Sequence, residues 1–464
     1  MHISEFQWIE PIHAMQRLAG MANLTFLDSA AGHEALGRYS YLACDPFGTF
    51  IVANAQASWK GQLIEGDPWD VLRGLLAEYP QKHRPELPPF QGGAAGFFGY
   101  DLNRTLERLA PPATSGQRFP EAILHFYDVI VSFDQRSQRC FIVSTGWPEQ
   151  DPAARAERAH ARADELAALL AARTPKLPPV AEPVVAWESN FSRGDYIAAV
   201  ERVIELILAG DLFQANIAQR FTARLSGSFD PLAFYGRLRS MNPAPFAALL
   251  RYGKLTIASS SPERFLKLDG RTVETRPIKG TIARSGDAKE DQRRAELLRN
   301  SEKDRAENIM IVDLLRNDLS RVCTADSVAV PVLCGLESYA SVHHLVSVVT
   351  AELAQGQHAI TLLKACFPGG SITGAPKVRS MEVICEIEHV AREIYCGSIG
   401  FIGFDGHMDT NIAIRTVTIR DDMAVFHAGS GITALSDPEA EYDETIAKAQ
   451  RVFDAFDDNN HGAS

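Results

Sequence analysis

A chain of 464 residues is longer than one hydrophobic core usually serves, so two interlocked subdomains or roughly two to three domains are expected. Apolar residues make up 46% and charged residues 22%, the balance of a water-soluble globular protein. A formal net charge of −12 argues against a nucleic-acid surface, and no run of about 18 apolar residues suggests a membrane span.

The N-terminus, "MHISEFQWIEPIHAM", lacks the basic-then-apolar pattern of a secretory leader. Up to about residue 145 the chain reads as strand-rich. "RYSYLACDPFGTFIVANAQASWKGQLIEG" and "ILHFYDVIVSFDQRSQRCFIVST" alternate β-branched and aromatic residues with turn formers, as hairpins do. The glycines of "QGGAAGFFGYDL" between them suit close backbone packing. A helix follows from Asp151, which can cap it, with Pro152 in its first turn and Pro175 as its stop. "KLPPVAEP" reads as a linker. The predicted organisation is an N-terminal subdomain over 1–174, a linker over 175–188, a catalytic domain over 189–456 and a tail over 457–464.

In the second region, Val200, Val203, Ile204, Ile207 and Leu208 form a helical stripe that ends at Gly210. Strands are predicted around 246–252, 255–259 and 264–268, and a helix after Ser301. Another helix opens near Pro376. Strands return in "CGSIGFIGF", "DTNIAIRTVTIR" and "MAVFHAGSGITA", and a helix closes the chain. Elements come in blocks rather than strict alternation. The predicted class is therefore α+β, with largely antiparallel β-sheets packed with helices. Seven scattered cysteines without a C-x-x-C pair read as reduced thiols in a cytoplasmic protein.

Several groups could carry chemistry. Asp304 and Glu307 lie one helical turn apart, as do Glu441 and Glu444. These are either solvated acidic faces or two halves of a site for a hard cation. The apolar run beside Glu307 favours a partner for its carboxylate. "PGGSITGAPK" lacks the Gly-Lys-Ser/Thr ending of a nucleotide loop, but it and "HAGSGIT" offer either backbone anion cradles or simple turns. Glu263, after Pro262, is either a surface-loop residue or a buried acid that donates a proton. His343 and His344 sit in an apolar setting. Arg415 interrupts a strand of buried character and should meet an anion or carboxylate. Lys279 in "ETRPIKGT" is a surface lysine unless Gly280 lets a ligand approach. These patterns do not name a reaction.

Taken in order, "GDLFQANIAQRF", "SSPERF", "TRPIKGT", "DRAENIMIVDLLRNDL", "HHLVS", "FPGGSITGAPK", "CGSIGF", "DTNIAIRT", "AGSGI" and "EYDET" resemble the chorismate-utilising enzymes. The N-terminal "LDSA", "RYSYLACDP" and "GGAAGFFGYDL" are similar to that family's amidating members. The resemblance implies Mg²⁺ held by Glu307 and Glu444, and chorismate bound by Gly280, Thr281, Tyr395, Arg415, Gly429, Ser430, Gly431 and Gln214. It implies catalysis by Lys279, Glu263 and His344. Lysine at 279 and glutamine at 214 resemble the branch in which ammonia replaces the 4-hydroxyl and the enolpyruvyl group is kept, through a covalent lysine adduct. The alternative is the anthranilate-forming branch, which usually has alanine at the position of Lys279. A lysine Schiff-base enzyme and a non-enzymatic binding protein are further readings. None of the cysteines lies in a Gly-x-Cys-x-Gly elbow, so the family reading implies a separate glutamine amidotransferase subunit as the ammonia source. With the chain ending soon after its last helix, a separate enzyme is expected to complete p-aminobenzoate synthesis, towards folate. Some amidating relatives bind tryptophan, and the matching positions are Ser29, Leu36, Gly37, Arg38, Tyr39, Pro245, Phe246 and Ala247.

Overall fold

Two antiparallel sheets organise the computed structural model, which describes residues 1–31, 36–111, 119–175, 186–339 and 342–457. Each sheet has 12 strands among the described residues, and both are shared between the two halves of the chain. In the first sheet, Leu24–Asp28 pairs with Phe246–Tyr252. In the second, Gly93–Phe98 pairs with Ser398–Gly403. The class is α+β, as expected. Most of the predicted linker, 176–185, and most of the predicted tail, 458–464, lie outside the described residues.

Period-two burial explains the packing. Phe97, Ile123 and Ile399 of one sheet meet Leu250 and Ile257 of the other, forming an inter-sheet core. Helices cover the outer faces. Pro152–Leu170, Pro231–Met241 and Pro438–Phe456 lie on the first sheet. Pro68–Ala77, Glu302–Ser320 and Ala359–Cys366 lie on the second. Asp151 accepts hydrogen bonds from the N–H groups of Ala153 and Ala154, as a cap should. That helix ends at Leu170 rather than at Pro175, because Leu170 is the last residue of its buried stripe. Ser301 caps Glu302–Ser320 through the N–H of Asp304. The glycine-rich strand is a close contact: a side chain at Gly96 would lie 2.0 Å from the Ile123 carbonyl oxygen.

The chain crosses between the sheets at two adjacent places. Leu255–Ser261 belongs to the first sheet and Arg264–Asp269 to the second, with Glu263 at the crossing. Met408–Asn411 belongs to the second and Thr416–Arg420 to the first, with Arg415 at the crossing. The single strand expected through "DTNIAIRTVTIR" is therefore two strands, broken where Arg415 adopts φ +50°. The crossings hold each other. Ile412 N–H donates to the Glu263 carbonyl at 3.0 Å, and Ser260 N–H donates to the Arg415 carbonyl at 3.0 Å. The turn allowed for at "AGSGI" is instead the end of an extended strand, Met423–Ile432, paired with Gln214–Arg224. Among the described residues no helix is long and apolar enough to cross a membrane, and all seven cysteines are free.

Candidate active site

The two crossings place Glu263 and Arg415 at the same end of the sandwich, and neighbouring elements add the remaining groups. Lys279, Gly280 and Thr281 lie on Ile278–Ala283, which pairs with the strand Val342–Glu352 bearing His344. A register shift at Gly280 puts Thr281 opposite His344. Gly280 has φ +79°, and a side chain there would press to 2.9 Å from Asp304. Only glycine meets both conditions. The bulge thus lets the Lys279 strand lie against the acidic helix Glu302–Ser320.

Lys279 Nζ lies 3.9 Å from Glu307 Oε2, and both side chains are 12% exposed. On the other side, a side chain at Gly431 would lie 2.1 Å from Gln214 Nε2 and 3.3 Å from Lys279 Nζ. The missing Cβ keeps open a space bounded by Gln214 and Lys279. Gln214 Oε1 is buried there with no hydrogen-bond partner among the described residues. Gly429 is equally constrained, since a Cβ would lie 2.5 Å from the Ile217 carbonyl oxygen. Ser430 sits buried between these glycines.

Glu263 is the buried acid rather than the surface-loop residue. It is 4% exposed, and burial pushes its pKa up to about 7, against the pull of a hydrogen bond donated by Ser371 Oγ at 2.7 Å and of the Lys279 charge. Ser371 of "GGSIT" thus contributes its hydroxyl to the Glu263 carboxyl. His344 is 2% exposed, with Nδ1 2.7 Å from Thr281 Oγ1. Burial, then Arg415, push its pKa down to about 3, so its imidazole is neutral at neutral pH. His343 belongs to the scaffold, held by Ser338 at 2.7 Å and Asp291 at 3.1 Å. Arg415 has no carboxylate partner among the described residues. Burial and the neighbouring Arg451 charge lower its pKa to about 10. A half-buried guanidinium without a carboxylate partner is suited to receive an anion.

Tyr395 is 4% exposed and stacks on His427, with ring centroids 5.1 Å apart. The Arg392 guanidinium lies 5.5 Å from its ring. Arg276, 11% exposed, pairs with Glu337. Lys377 donates to Asp318 at 2.5 Å and to the Cys366 carbonyl at 2.9 Å, tying two helices together.

The acidic pairs face each other. Burial raises the Glu307 pKa against Lys279 and Lys303. Glu444 is also raised by burial, but Lys448, Lys303 and Lys279 outweigh that and leave it lowered. Both carboxylates therefore share the same lysines. Lys448 lies 2.6 Å from Glu444 and also donates to the Gly429 carbonyl at 3.0 Å, joining the acidic helix to the glycine strand. Lys303 lies 3.3 Å from Glu441, which also accepts from Ser436 at 2.7 Å. Sequence reasoning missed Lys303, Lys448 and Ser371. The first two had a signal, since each lies four residues from a predicted carboxylate. Ser371 had none. Hard oxygen donors on facing helices, with ammonium groups drawn to them, suit a hard divalent cation.

The eight positions predicted for tryptophan lie elsewhere and share one cavity of about 650 Å³. Ser29 donates to the Tyr39 carbonyl at 2.6 Å, and Arg38 grips Asp134 through two hydrogen bonds of 3.0 and 2.7 Å.

The chain belongs to the chorismate binding enzyme family, which matches residues 24–454. It is 40% identical to aminodeoxychorismate synthase component 1 of Escherichia coli, over 94% of each chain. It is 43% identical to the protein of that name from Salmonella typhimurium, over 92% of this chain and 91% of the other. Among solved structures it resembles anthranilate synthase component I from Streptococcus pneumoniae. The TM-score is 0.81 at 32% identity, covering 90% of this chain and 92% of that one.

Proposed function

We propose that this chain converts chorismate and ammonia to 4-amino-4-deoxychorismate, with pyruvate retained. The observation that carries the reading is Lys279, a nearly buried amine beside Glu307 with the protonatable Glu263 in its field. The similarity to component 1 proteins over nearly the whole chain supports it.

The nitrogen lone pair of Lys279 attacks C2 of the ring. The ring double bonds relay, and the C4–O bond breaks. Glu263 supplies the proton that lets the hydroxyl leave as water. Ammonia then attacks C4, the double bonds relay back, and the C2–N bond to Lys279 breaks. The incoming nitrogen gives up a proton, and the lysine and acid return to their starting states. Two displacements thus replace one high barrier, as covalent catalysis allows. Arg415, Tyr395 and the backbone of Gly429, Ser430 and Gly431 bind the side-chain carboxylate. Gly280, Thr281 and Gln214 line the ring. His344, neutral and held by Thr281, hydrogen-bonds near the departing oxygen. Glu307 and Glu444 would hold Mg²⁺, which when bound supplies positive charge to the ring carboxylate.

Ammonia comes from a separate glutamine amidotransferase subunit, a reading supported by the designation "component 1" in the relatives. The product leads towards p-aminobenzoate and folate in the cytoplasm. The 650 Å³ cavity takes tryptophan, and native mass spectrometry without added tryptophan tests its occupancy. For the reaction, wild type and Lys279→Ala are incubated with chorismate, Mg²⁺ and ammonium salt. Wild type forms aminodeoxychorismate and the variant does not. Anthranilate with released pyruvate from wild type, or an unchanged rate in the variant, refutes the assignment.

A further inference from the structure

We propose that His83, Asp405 and His407 form a binding site for Zn²⁺, separate from the carboxylate site above. Among the described residues these three bring ligand atoms within 4.8 Å of one another. His83 Nδ1 lies 2.7 Å from Asp405 Oδ2, and His407 Nδ1 lies 3.4 Å from Asp405 Oδ1. Both imidazoles thus turn the same ring nitrogen to one carboxylate, whose side chain is only 1% exposed.

The arrangement is incomplete without a further atom. His407 is 7% exposed, and its Nδ1 is buried with no hydrogen-bond partner. Its distance from Asp405 allows attraction, but the angle does not make a hydrogen bond. The other ring nitrogen, Nε2, lies 3.2 Å from Asp269 Oδ1. The Gly270 N–H also donates to Nε2 at 3.3 Å, so Nε2 serves two partners; in the tautomer that donates to Asp269, Nδ1 presents a lone pair beside the Asp405 carboxylate, and a cation between them would satisfy both. A carboxylate that orients an imidazole through its far nitrogen is the usual support of a histidine metal ligand. The backbone is shaped for the acid as well, since a side chain at Gly403 would lie 2.3 Å from Asp405 Oδ1.

Two imidazoles and one carboxylate select Zn²⁺ over Mg²⁺, which prefers an all-oxygen shell. His83, Asp269 and His407 border the 650 Å³ cavity, leaving a fourth position for water. The rings now stack with centroids 3.8 Å apart. Tetrahedral coordination would require the His83 side chain, 26% exposed, to turn from its present hydrogen bond with Asp405 and open the angle between the rings.

The ion would join the two halves of the chain. His83 follows Gln81, whose N–H donates to the Phe404 carbonyl at 3.3 Å. Asp405 and His407 lie between the paired strands Ser398–Gly403 and Met408–Asn411. Asp269 is six residues beyond Glu263, roughly 20 Å along an extended strand. The expected effect is therefore on stability and not on turnover.

The test uses protein freed of metal by a chelator and titrated with Zn²⁺ in saturating Mg²⁺, followed by calorimetry and thermal unfolding. One site is expected in wild type, with affinity at least about 10-fold weaker in His83→Ala and His407→Gln. Zn²⁺ should raise the wild-type melting temperature more than that of either variant, and His83→Ala should keep wild-type turnover in Mg²⁺. Co²⁺ should give the weak visible bands of nitrogen and oxygen ligation. Absence of Zn²⁺ binding, equal binding in wild type and His83→Ala, or thiolate-type Co²⁺ absorption would overturn the proposal. Should His407→Gln fail to fold, the half-exposed His83→Ala decides the matter alone.

Discussion

The cavity between the sheets and the candidate active site are both rich in buried charge, but they treat it differently. At the cavity, Arg264 holds Asp409 at 2.9 Å and Glu274 at 2.7 Å, Arg239 holds Asp28 at 2.6 Å, and Arg38 holds Asp134. At the active site, Arg415 has no carboxylate among the described residues and Glu263 is held near neutral pKa. Buried charges are normally paired because desolvating a lone ion is costly. The contrast separates scaffold from function. The active site also holds matched pairs, Lys303 with Glu441 and Lys448 with Glu444, so the contrast rests on Arg415 and Glu263, which form no ion pair among the described residues.

The largest expected effect is on chemistry. Lys279→Met should lower turnover with ammonia by roughly 10³-fold or more while leaving the far-UV circular dichroism unchanged. A variant that still turns over at the wild-type rate would remove the reason for separating the two regions. Next comes Glu263→Gln, with a loss of about 10² to 10⁴ in kcat. In wild type, kcat/KM should fall as pH rises through about 7, where the acid loses its proton.

The same group makes a stability prediction. Unfolded, a glutamate releases its proton near its ordinary value of 4.5, whereas folded Glu263 keeps it to about 7. Between these values the folded state binds more protons, so stability falls as pH rises and levels off above 7. The loss attributable to this one group is on the order of 3 kcal/mol. Urea unfolding of wild type and Glu263→Gln from pH 5 to 8 should show a decline that is shallower in the variant.

Two arginine variants sharpen the comparison further. Arg415→Met should lower kcat/KM for chorismate by about 10²-fold, yet should not lower the melting temperature of the ligand-free protein. Arg264→Met strands two carboxylates and should cost about 3–5 kcal/mol of stability. If both destabilise equally, the distinction between matched and unmatched charge fails here. The smallest effect belongs to Arg38→Ala, about 1 kcal/mol or less by chemical denaturation, because the Arg38 side of this pair is 45% exposed although Asp134 is nearly covered.

What the sequence determined by itself was local. Strand alternation, the caps at Asp151 and Ser301, and the α+β class follow from nearest-neighbour sterics and one-dimensional periodicity. The order of the motifs was enough to point to the family. Tertiary structure alone decided that the crossings bearing Glu263 and Arg415 lie against each other, because the two residues are 152 positions apart and their backbones are joined only where two strands change sheets. It also turned "AGSGI" from a possible turn into a strand, since the reason for its glycines is the Gln214–Arg224 strand opposite. Ser371 reaches Glu263 across 108 residues, a contact with no local signature. Burial is a property of the assembled chain, so whether a given carboxylate or lysine is solvated or stripped of water is settled only by what folds over it.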